Sequence, residues 1–173
     1  MWRNGTIPLA YLAGAIENAP DGGKHWREEI SRFLQQELGH AVYNPCLEEN
    51  HLLTPEEFRK FRQWKTSDLA RFREVVHRII RSDITNLLER VDYIICLWDQ
   101  HVLHGGGTQG ELTMAFWHQV PVYMVTRIPL AEISSWIIGC TSEIFQDFNT
   151  LELFLKSHFP AIALNSRRKS QER

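Results

Sequence analysis

The sequence has little of what marks several specialised protein classes. Its 173 residues include only three cysteines, Cys46, Cys96 and Cys140, and none forms a C-x-x-C pair. Isolated cysteines are typical of buried thiols in a reducing compartment rather than of a disulfide framework or a zinc site. No run approaches the roughly 20 apolar residues that span a bilayer, and no signal peptide is visible. We therefore expect a cytoplasmic protein without a membrane partner.

The chain also lacks an excess of charge. It carries 19 Lys and Arg against 21 Asp and Glu, a net charge of -2. Proteins that bind nucleic acid irrespective of sequence normally have a strong positive excess, so we expect no nucleic-acid partner. The length and the 43% hydrophobic content fit one globular domain. We place that domain at 1–164 and expect the polar, basic segment 165–173 to be a disordered tail.

Nucleotide-cofactor and metal motifs are missing as well. The segment Gly105-Gly106-Gly107-Thr108 is glycine-rich, but it fits neither the G-x-x-x-x-G-K-[ST] nor the G-x-G-x-x-G pattern. An ATPase or a nicotinamide-dependent enzyme is therefore not expected, and we predict no cofactor. His101 and His104 have no companion residues at metal-ligand spacing, so we predict no metal site.

What the chain does contain is an alternation of short apolar runs and amphipathic segments. Because strands that alternate with helices form a parallel sheet covered on both faces, we predict an α/β fold. At this length it would be a flavodoxin-like or Rossmann-like three-layer sandwich with roughly five parallel strands. Strands are predicted near residues 7–13, 41–43, 91–98, 120–125 and 143–146.

Helix signals separate these strands. Thr54-Pro55-Glu56-Glu57 has the composition of a capping box with proline at the first helical position. A helical region is expected from there to about Ile80, broken near Thr66-Ser67, and Ser82-Asp83 is expected to open a further short helix. Residues 46–54 are expected to form a loop. The other helices are predicted near 25–38, ending at Gly39, and near 108–118, 129–138 and 149–158.

In such folds ligands bind beyond the carboxyl ends of the strands, where the strand order reverses. The loops after the first and third strands are therefore the places to search for chemistry. Tyr11 lies near the end of the first strand, and the small Gly14-Ala15-Ile16 segment follows it. The loop after the third strand begins at Asp99 and leads to Glu111, expected in the first turn of the next helix.

Two carboxylates are predicted to meet at this edge. A helix N-terminus stabilises a negative charge by roughly 0.3–1 kcal/mol, and the glycines before Glu111 let a substrate approach. Glu111 is equally consistent with a helix-capping residue. Asp83, expected at a helix start, would return to the same edge, although an N-cap role explains it slightly better on spacing alone. Asp92 begins a strand, so it should lie at the opposite edge in a structural role.

Several short pieces occur in a distinctive order and spacing over about residues 7–125. They are Tyr11-Leu12-Ala13-Gly14, Trp26-Arg27, Asp83 with Leu87-Leu88, Val91-Asp92-Tyr93-Ile94-Ile95, and Gly107-Thr108-Gln109-Gly110-Glu111-Leu112 with Ala115. Taken together, these segments resemble the nucleoside 2-deoxyribosyltransferase-like family, which includes nucleoside 5′-monophosphate N-glycosidases.

The resemblance implies a retaining reaction at the anomeric carbon of a nucleoside or nucleotide. Glu111 would attack C1′, Asp83 would orient or protonate the leaving base, and Tyr11 would position the nucleophile. The glycosyl group would then pass to another base or to water. The family also implies a homo-oligomer. The residues expected to contact the substrate are Gly14, Ala15, Ile16, Trp26, Arg81, Asp99, Gly107 and Thr108.

Some features depart from the family and leave alternatives open. The loop 99–106 is longer than in relatives, which puts the position of Asp99 in doubt. The charged stretch 58–80 is also longer. It suits a lid over the base, an oligomer contact or a solvated helical face. The oligomer contact and the solvated face, taken together, explain the stretch better than a lid does. Lys24 and Arg81 are candidate phosphate contacts, although both are equally explained as surface cations.

Two other functions stay open. One is a phosphoribohydrolase of the lysine-decarboxylase-like type, whose P-G-G-x-G-T-x-x-E segment is partly matched around Gly107 and Glu111. The other is a non-catalytic module that binds or senses a nucleotide, because a fold does not determine a function.

Overall fold

The computed structural model describes residues 6–159, so the segment 165–173 and the last residues of the predicted domain lie outside the described residues. The centre of the fold is a parallel sheet of five strands in the order β2-β1-β3-β4-β5. This is the flavodoxin-like order, with the reversal between β1 and β3, and it confirms the predicted fold class. The strands are β1 Leu9–Gly14, β2 Ala41–Tyr43, β3 Tyr93–Trp98, β4 Val122–Thr126 and β5 Glu143–Phe145.

Seven α-helices connect and cover the described strands. They are α1 Lys24–Phe33, α2 Pro45–Leu52, α3 Pro55–Ser67, α4 Leu69–Glu89, α5 Gly107–Trp117, α6 Ser135–Gly139 and α7 Phe148–His158. Helix α1 continues as a π-helical turn at Leu34–Leu38 and ends at Gly39, as predicted, in the left-handed conformation. No helix among residues 6–159 is long and apolar enough to cross a membrane.

Each face of the sheet carries its own apolar core. Alternate residues along a strand point to opposite faces, so Ala13 and Cys96 pack against helices α4 and α5 while Leu12 and Ile95 pack against α1 and α7. All four are fully or almost fully buried. Burial on both faces explains why these strands are continuous apolar runs, and each large buried side chain stabilises the fold by roughly 1.5–3 kcal/mol.

The predicted loop at 46–54 was wrong, because most of it is helix α2. The side chain of Asn44 accepts a hydrogen bond from the backbone N–H of Cys46, at 3.1 Å, and Pro45 occupies the first helical turn. Asn44-Pro45 therefore forms an N-cap and a helix start rather than a simple turn. The helix ends at Leu52, and Leu53 separates it from the next N-cap, Thr54.

The predicted capping box of helix α3 is confirmed. The Thr54 hydroxyl accepts a hydrogen bond from the backbone N–H of Glu57, and the Glu57 carboxylate accepts one from the backbone N–H of Thr54. The predicted break near 66–67 is also confirmed, because Asp68 caps a new helix by accepting from the backbone N–H of Arg71 at 3.1 Å.

The separate helix predicted from Ser82-Asp83 was wrong. Helix α4 runs without interruption through both residues to Glu89. With 21 residues it is about 30 Å long at 1.5 Å per residue, whereas the six residues of β3 span about 20 Å. Since α4 ends at the amino edge of β3, about 10 Å of its N-terminal part, or roughly two turns, extends beyond the carboxyl edge of the sheet.

The N-terminal half of α4, which includes this projecting part, packs with α2 and α3 into a third, smaller apolar cluster. Its buried members are Leu53, Phe61, Trp64 and Val75. We call α3 and the N-terminal half of α4 the roof, because they stand over the carboxyl edge of the sheet. The roof covers part of a cleft that lies where the strand order reverses.

The C-terminal part follows the prediction except at 129–138. There a 3-10 turn, Leu130–Glu132, is followed by extended backbone at Ile133 and the five-residue helix α6. The hydroxyl of Ser134 caps α6 by accepting from the backbone N–H of Trp136 at 3.3 Å, so a single helix was wrong. Strand β5 at the sheet edge and helix α7 are confirmed.

Candidate active site

A cavity of about 620 Å³ lies between the roof and the carboxyl edge of the sheet. The end of β1, the glycine-rich segment, the start of α5 and the roof supply its walls. It coincides with the reversal point between β1 and β3, where ligands bind in this fold class. Both predicted carboxylates, Asp83 and Glu111, line it.

The first pair of interacting groups is Tyr11 and Glu111, of which Glu111 lines the cavity and Tyr11 does not. The Tyr11 hydroxyl donates a hydrogen bond to Oε1 of Glu111 at 2.8 Å, although the two residues are 100 positions apart. Tyr11 is fully buried in β1, so the bond holds the carboxylate at a defined place. Burial raises the pKa of Tyr11 well above its ordinary value, which keeps the phenol a proton donor.

Glu111 lies just past the first turn of α5, not within it, because the helix begins at Gly107. Its carboxylate makes no capping hydrogen bond, and no side chain caps this helix. The structure therefore removes the capping explanation that the sequence left open for Glu111.

The second pair is Tyr43 and Asp83. The Tyr43 hydroxyl donates to Oδ1 of Asp83 at 2.9 Å. Asp83 lies in the interior of α4, so it is not an N-cap either. It lines the cavity from that interior position, not from a helix start.

The two tyrosines form one unit. Tyr11 and Tyr43 are register partners on β1 and β2, and their rings stack with centroids 5.2 Å apart and planes 11° apart. Each phenol donates to a different carboxylate, which couples the positions of Glu111 and Asp83. Sequence reasoning missed Tyr43. Its signal was present, since it ends β2 as Tyr11 lies near the end of β1.

Both carboxyl groups titrate near neutral pH. Burial raises the pKa of Glu111 to about 7, partly offset by the Tyr11 hydrogen bond; the charge of Asp83 raises it further and that of Arg27 lowers it. Burial likewise raises the pKa of Asp83 to about 6, against the Tyr43 hydrogen bond, with Glu49 and Glu48 adding to the rise. Such displaced carboxyl groups in a cleft are typical of catalytic sites.

Arg27 organises the loop after β1. This guanidinium is fully buried and donates to four backbone carbonyl oxygens: those of Leu12 (3.2 Å), Gly14 (2.8 Å), Ala15 (3.2 Å) and Gly23 (2.7 Å). Gly23 has φ +70°, and a Cβ there would lie 2.2 Å from the Ala15 oxygen. Arg27 and Gly23 together fix the loop that carries Gly14, Ala15 and Ile16 into the cavity lining.

The predicted substrate contacts divide into two groups. Five line the cavity: Gly14, Ala15, Ile16, Gly107 and Thr108. Its lining does not include Trp26, Arg81 or Asp99.

Each of these three side chains lies elsewhere for a local reason. Trp26 stacks on Phe148 with ring centroids 5.8 Å apart, on the face of the sheet covered by α1 and α7. Arg81 is exposed on α4, and Asp99 accepts a hydrogen bond from the backbone N–H of His101 at 2.9 Å. Lys24, the other candidate phosphate contact, is also exposed outside the lining.

The roof contributes cavity residues that sequence reasoning did not single out. Arg62 lines the cavity, forms an ion pair with Glu49 at 3.3 Å and lies over the ring of Phe61, 4.3 Å from its centroid. Much of the remaining roof surface is apolar. Nothing in the local sequence separates these residues from an ordinary amphipathic helix face. Residues 6–159 contain no group of three or more His, Cys, Asp or Glu arranged to hold a metal ion.

No protein-family model matches the chain, and no curated protein sequence matches it. Among solved structures, it is similar to a 2-deoxyribosyltransferase from the psychrotolerant bacterium Bacillus psychrosaccharolyticus. The two share 20% identity with a TM-score of 0.56, over 88% of this chain and 96% of that chain. The resemblance inferred from sequence is therefore supported at the level of the fold, which this chain shares with that 2-deoxyribosyltransferase.

Proposed function

We propose that this chain is an enzyme that cleaves the N-glycosidic bond of a nucleoside or nucleoside 5′-monophosphate through a covalent glycosyl-Glu111 intermediate. The observation that carries the proposal is the hydrogen bond from the Tyr11 hydroxyl to Oε1 of Glu111, in a cavity that Asp83 also lines. A carboxylate held in place by a buried phenol, beside a second carboxyl group, has the composition of a retaining glycosidic site.

In the first step, a Glu111 oxygen forms a bond to C1′ while the bond from C1′ to the base nitrogen breaks. The electron pair of that bond leaves with the base. A proton on Asp83, or from solvent, neutralises the departing nitrogen. The negative charge of Glu111 also stabilises the oxocarbenium-like transition state.

In the second step, a nitrogen of another base or the oxygen of water attacks C1′ from the vacated side. The ester bond to Glu111 breaks, the carboxylate is restored, and the proton of the incoming nucleophile passes to Asp83 or to solvent. Attack by a base gives transfer, and attack by water gives hydrolysis. In both, Tyr11 keeps Glu111 in position.

We further propose a homo-oligomer, which an exposed aromatic surface supports. Trp117 is 77% exposed, Trp136 67% and Phe116 59%. These side chains belong to α5 and α6, which pack together, and the Trp136 indole N–H donates to the Thr113 hydroxyl at 3.0 Å. Exposed apolar patches of this kind mark association surfaces. Light scattering should show a species larger than the monomer, and a Trp117→Ser change should shift it towards the monomer.

The test of the proposed activity is base release from a panel of ribo- and deoxynucleosides and their 5′-monophosphates, with and without an acceptor base. We expect release that depends on Glu111 and is abolished in Glu111→Gln, which preserves size and an oxygen acceptor for Tyr11. Glu152→Gln on α7, outside the cavity, is the matched control and should retain activity.

The other outcomes point to other functions. Release confined to ribonucleoside 5′-monophosphates would favour the phosphoribohydrolase. Binding without release from any substrate would identify a non-catalytic nucleotide-binding module and overturn the proposal.

A further inference from the structure

The roof carries an apolar stripe that ends at one of the two carboxyl groups. Phe72, Val76, Ile79 and Asp83 are spaced at i, i+4, i+7 and i+11 along α4, so they share one helix face. All four line the cavity. Asp83 is thus the polar end of an otherwise apolar stripe.

Neighbouring elements extend this surface. Phe61 from α3, Ile80 and Ile84 from α4 and Met114 from α5 also line the cavity. The nearby charged residue Arg62 is already paired with Glu49 and stacked on Phe61. We call Val76, Ile79, Ile80 and Ile84 the apolar wall. They are the four apolar residues of α4 that line the cavity nearest to Asp83 in the sequence.

The position of the two carboxyl groups orients a substrate against this wall. In the proposed reaction C1′ must contact Glu111 and the leaving base must contact Asp83. Ile79 and Val76, one and two turns further along α4, line the same cavity, so they are available to the edge of the base remote from the sugar. An unsubstituted base presents nitrogen, oxygen and amine groups there, and placing them against an apolar surface removes their hydrogen bonds to water.

We propose that the leaving base carries an apolar substituent on the edge remote from the sugar, and that the apolar wall binds this substituent. The inference rests on the proposed function. Ile80 is 52% exposed, so the wall still has surface to bury on a ligand. Met114 adds an adaptable side chain to the same cavity, which suits a substituent of irregular shape.

The test uses two series of probes, as nucleosides and 5′-monophosphates: adenine bearing hydrogen, methyl, propyl or hexyl at N6, and uracil bearing the same groups at C5. Each methylene that moves from water into contact with the apolar wall should raise kcat/KM about two- to four-fold, until the cavity beside the wall is filled. At least one series should show this rise. Flat or falling values in both series, with base release intact, would overturn the inference and leave the proposed function standing.

A matched pair of variants locates the effect. Ile80→Ser removes part of the wall, whereas Leu69→Ser changes a side chain of similar exposure (48%) on the same helix outside the cavity lining. Ile80→Ser should lower kcat/KM about three- to ten-fold for the hexyl probe and much less for the unsubstituted one. Leu69→Ser should change neither. Equal effects of the two variants, or a loss independent of the substituent, would contradict the wall assignment.

Binding to Glu111→Gln keeps the two proposals separable. If no probe releases its base from the wild-type protein, the proposed function fails. Titration calorimetry with the same series then still tests the wall. Affinity that rises with substituent length would support binding of the substituent by the apolar wall. Affinity independent of length would overturn it, and this is also the result expected if a second copy of the chain covers the wall.

Discussion

Removal of the Glu111 charge should stabilise the protein above neutral pH. Burial raises the pKa of this group from 4.5 to about 7 in the folded state. A carboxyl group with a raised pKa stabilises the fold fully below its unfolded pKa, and this contribution is lost as the pH rises through the folded pKa. At 1.36 kcal/mol per pKa unit, the loss is about 3 kcal/mol above pH 7.

Glu111→Gln cannot ionise and retains an oxygen acceptor for Tyr11, so it escapes this loss. We expect its free energy of unfolding to equal that of the wild type near pH 4.5 and to exceed it by about 2–3 kcal/mol at pH 8. Urea unfolding at intervals from pH 4.5 to 8 measures the difference, and the exposed Glu74→Gln on α4 serves as the control. A variant that is no more stable than the wild type at pH 8 would refute the argument from burial.

Three further results are expected. First, if catalysis needs only the ionised form of Glu111, kcat/KM should rise with pH through about 7 and reach a plateau. If it also needs the protonated form of Asp83, whose pKa is about 6, kcat/KM should instead peak between about pH 6 and 7 and fall above that range, so a plateau would exclude the acid role. Second, Tyr11→Phe should lower kcat/KM about ten- to hundred-fold and move the rising limb to higher pH, because its hydrogen bond lowers the pKa of Glu111; an unmoved limb would contradict this. Third, urea unfolding should show that Gly23→Ala destabilises the fold at least about 2 kcal/mol more than Gly22→Ala. Both glycines have positive φ, but only a Cβ at Gly23 would meet backbone, at 2.2 Å, whereas the atom nearest to a Cβ at Gly22 is 3.9 Å away. Equal losses of unfolding free energy in the two variants would contradict the proposal that Gly23 and Arg27 fix the loop after β1.

The strand layout could be predicted from sequence because both faces of the sheet are buried, which produces continuous apolar runs. A flavodoxin-like or Rossmann-like strand order was then expected, and the rule for ligand sites in such folds selected the loops after the first and third strands, near Tyr11 and Glu111. These predictions depend on local composition and on a topological rule, whereas the order itself was established by the structure.

Other parts of the site depend on long-range contacts. The place of Tyr43 at the end of β2 was visible in the sequence, but its role depends on its register with Tyr11 and its hydrogen bond to Asp83. Arg27 would ordinarily be an exposed cation, and its burial depends on four carbonyl groups that the folded loop brings together. The uninterrupted course of α4 was missed because Ser82-Asp83 has the composition of a helix start.

The central claim is that Glu111 forms a covalent bond to the sugar. A nucleoside with fluorine at C2′ destabilises the oxocarbenium-like transition states of both steps and allows an intermediate to accumulate. Mass spectrometry of the intact protein, followed by peptide mapping, should find one glycosyl adduct on Glu111, released when an acceptor base is added, and none in Glu111→Gln. Base release by Glu111→Gln at the wild-type rate, or an adduct on another residue, would contradict the account.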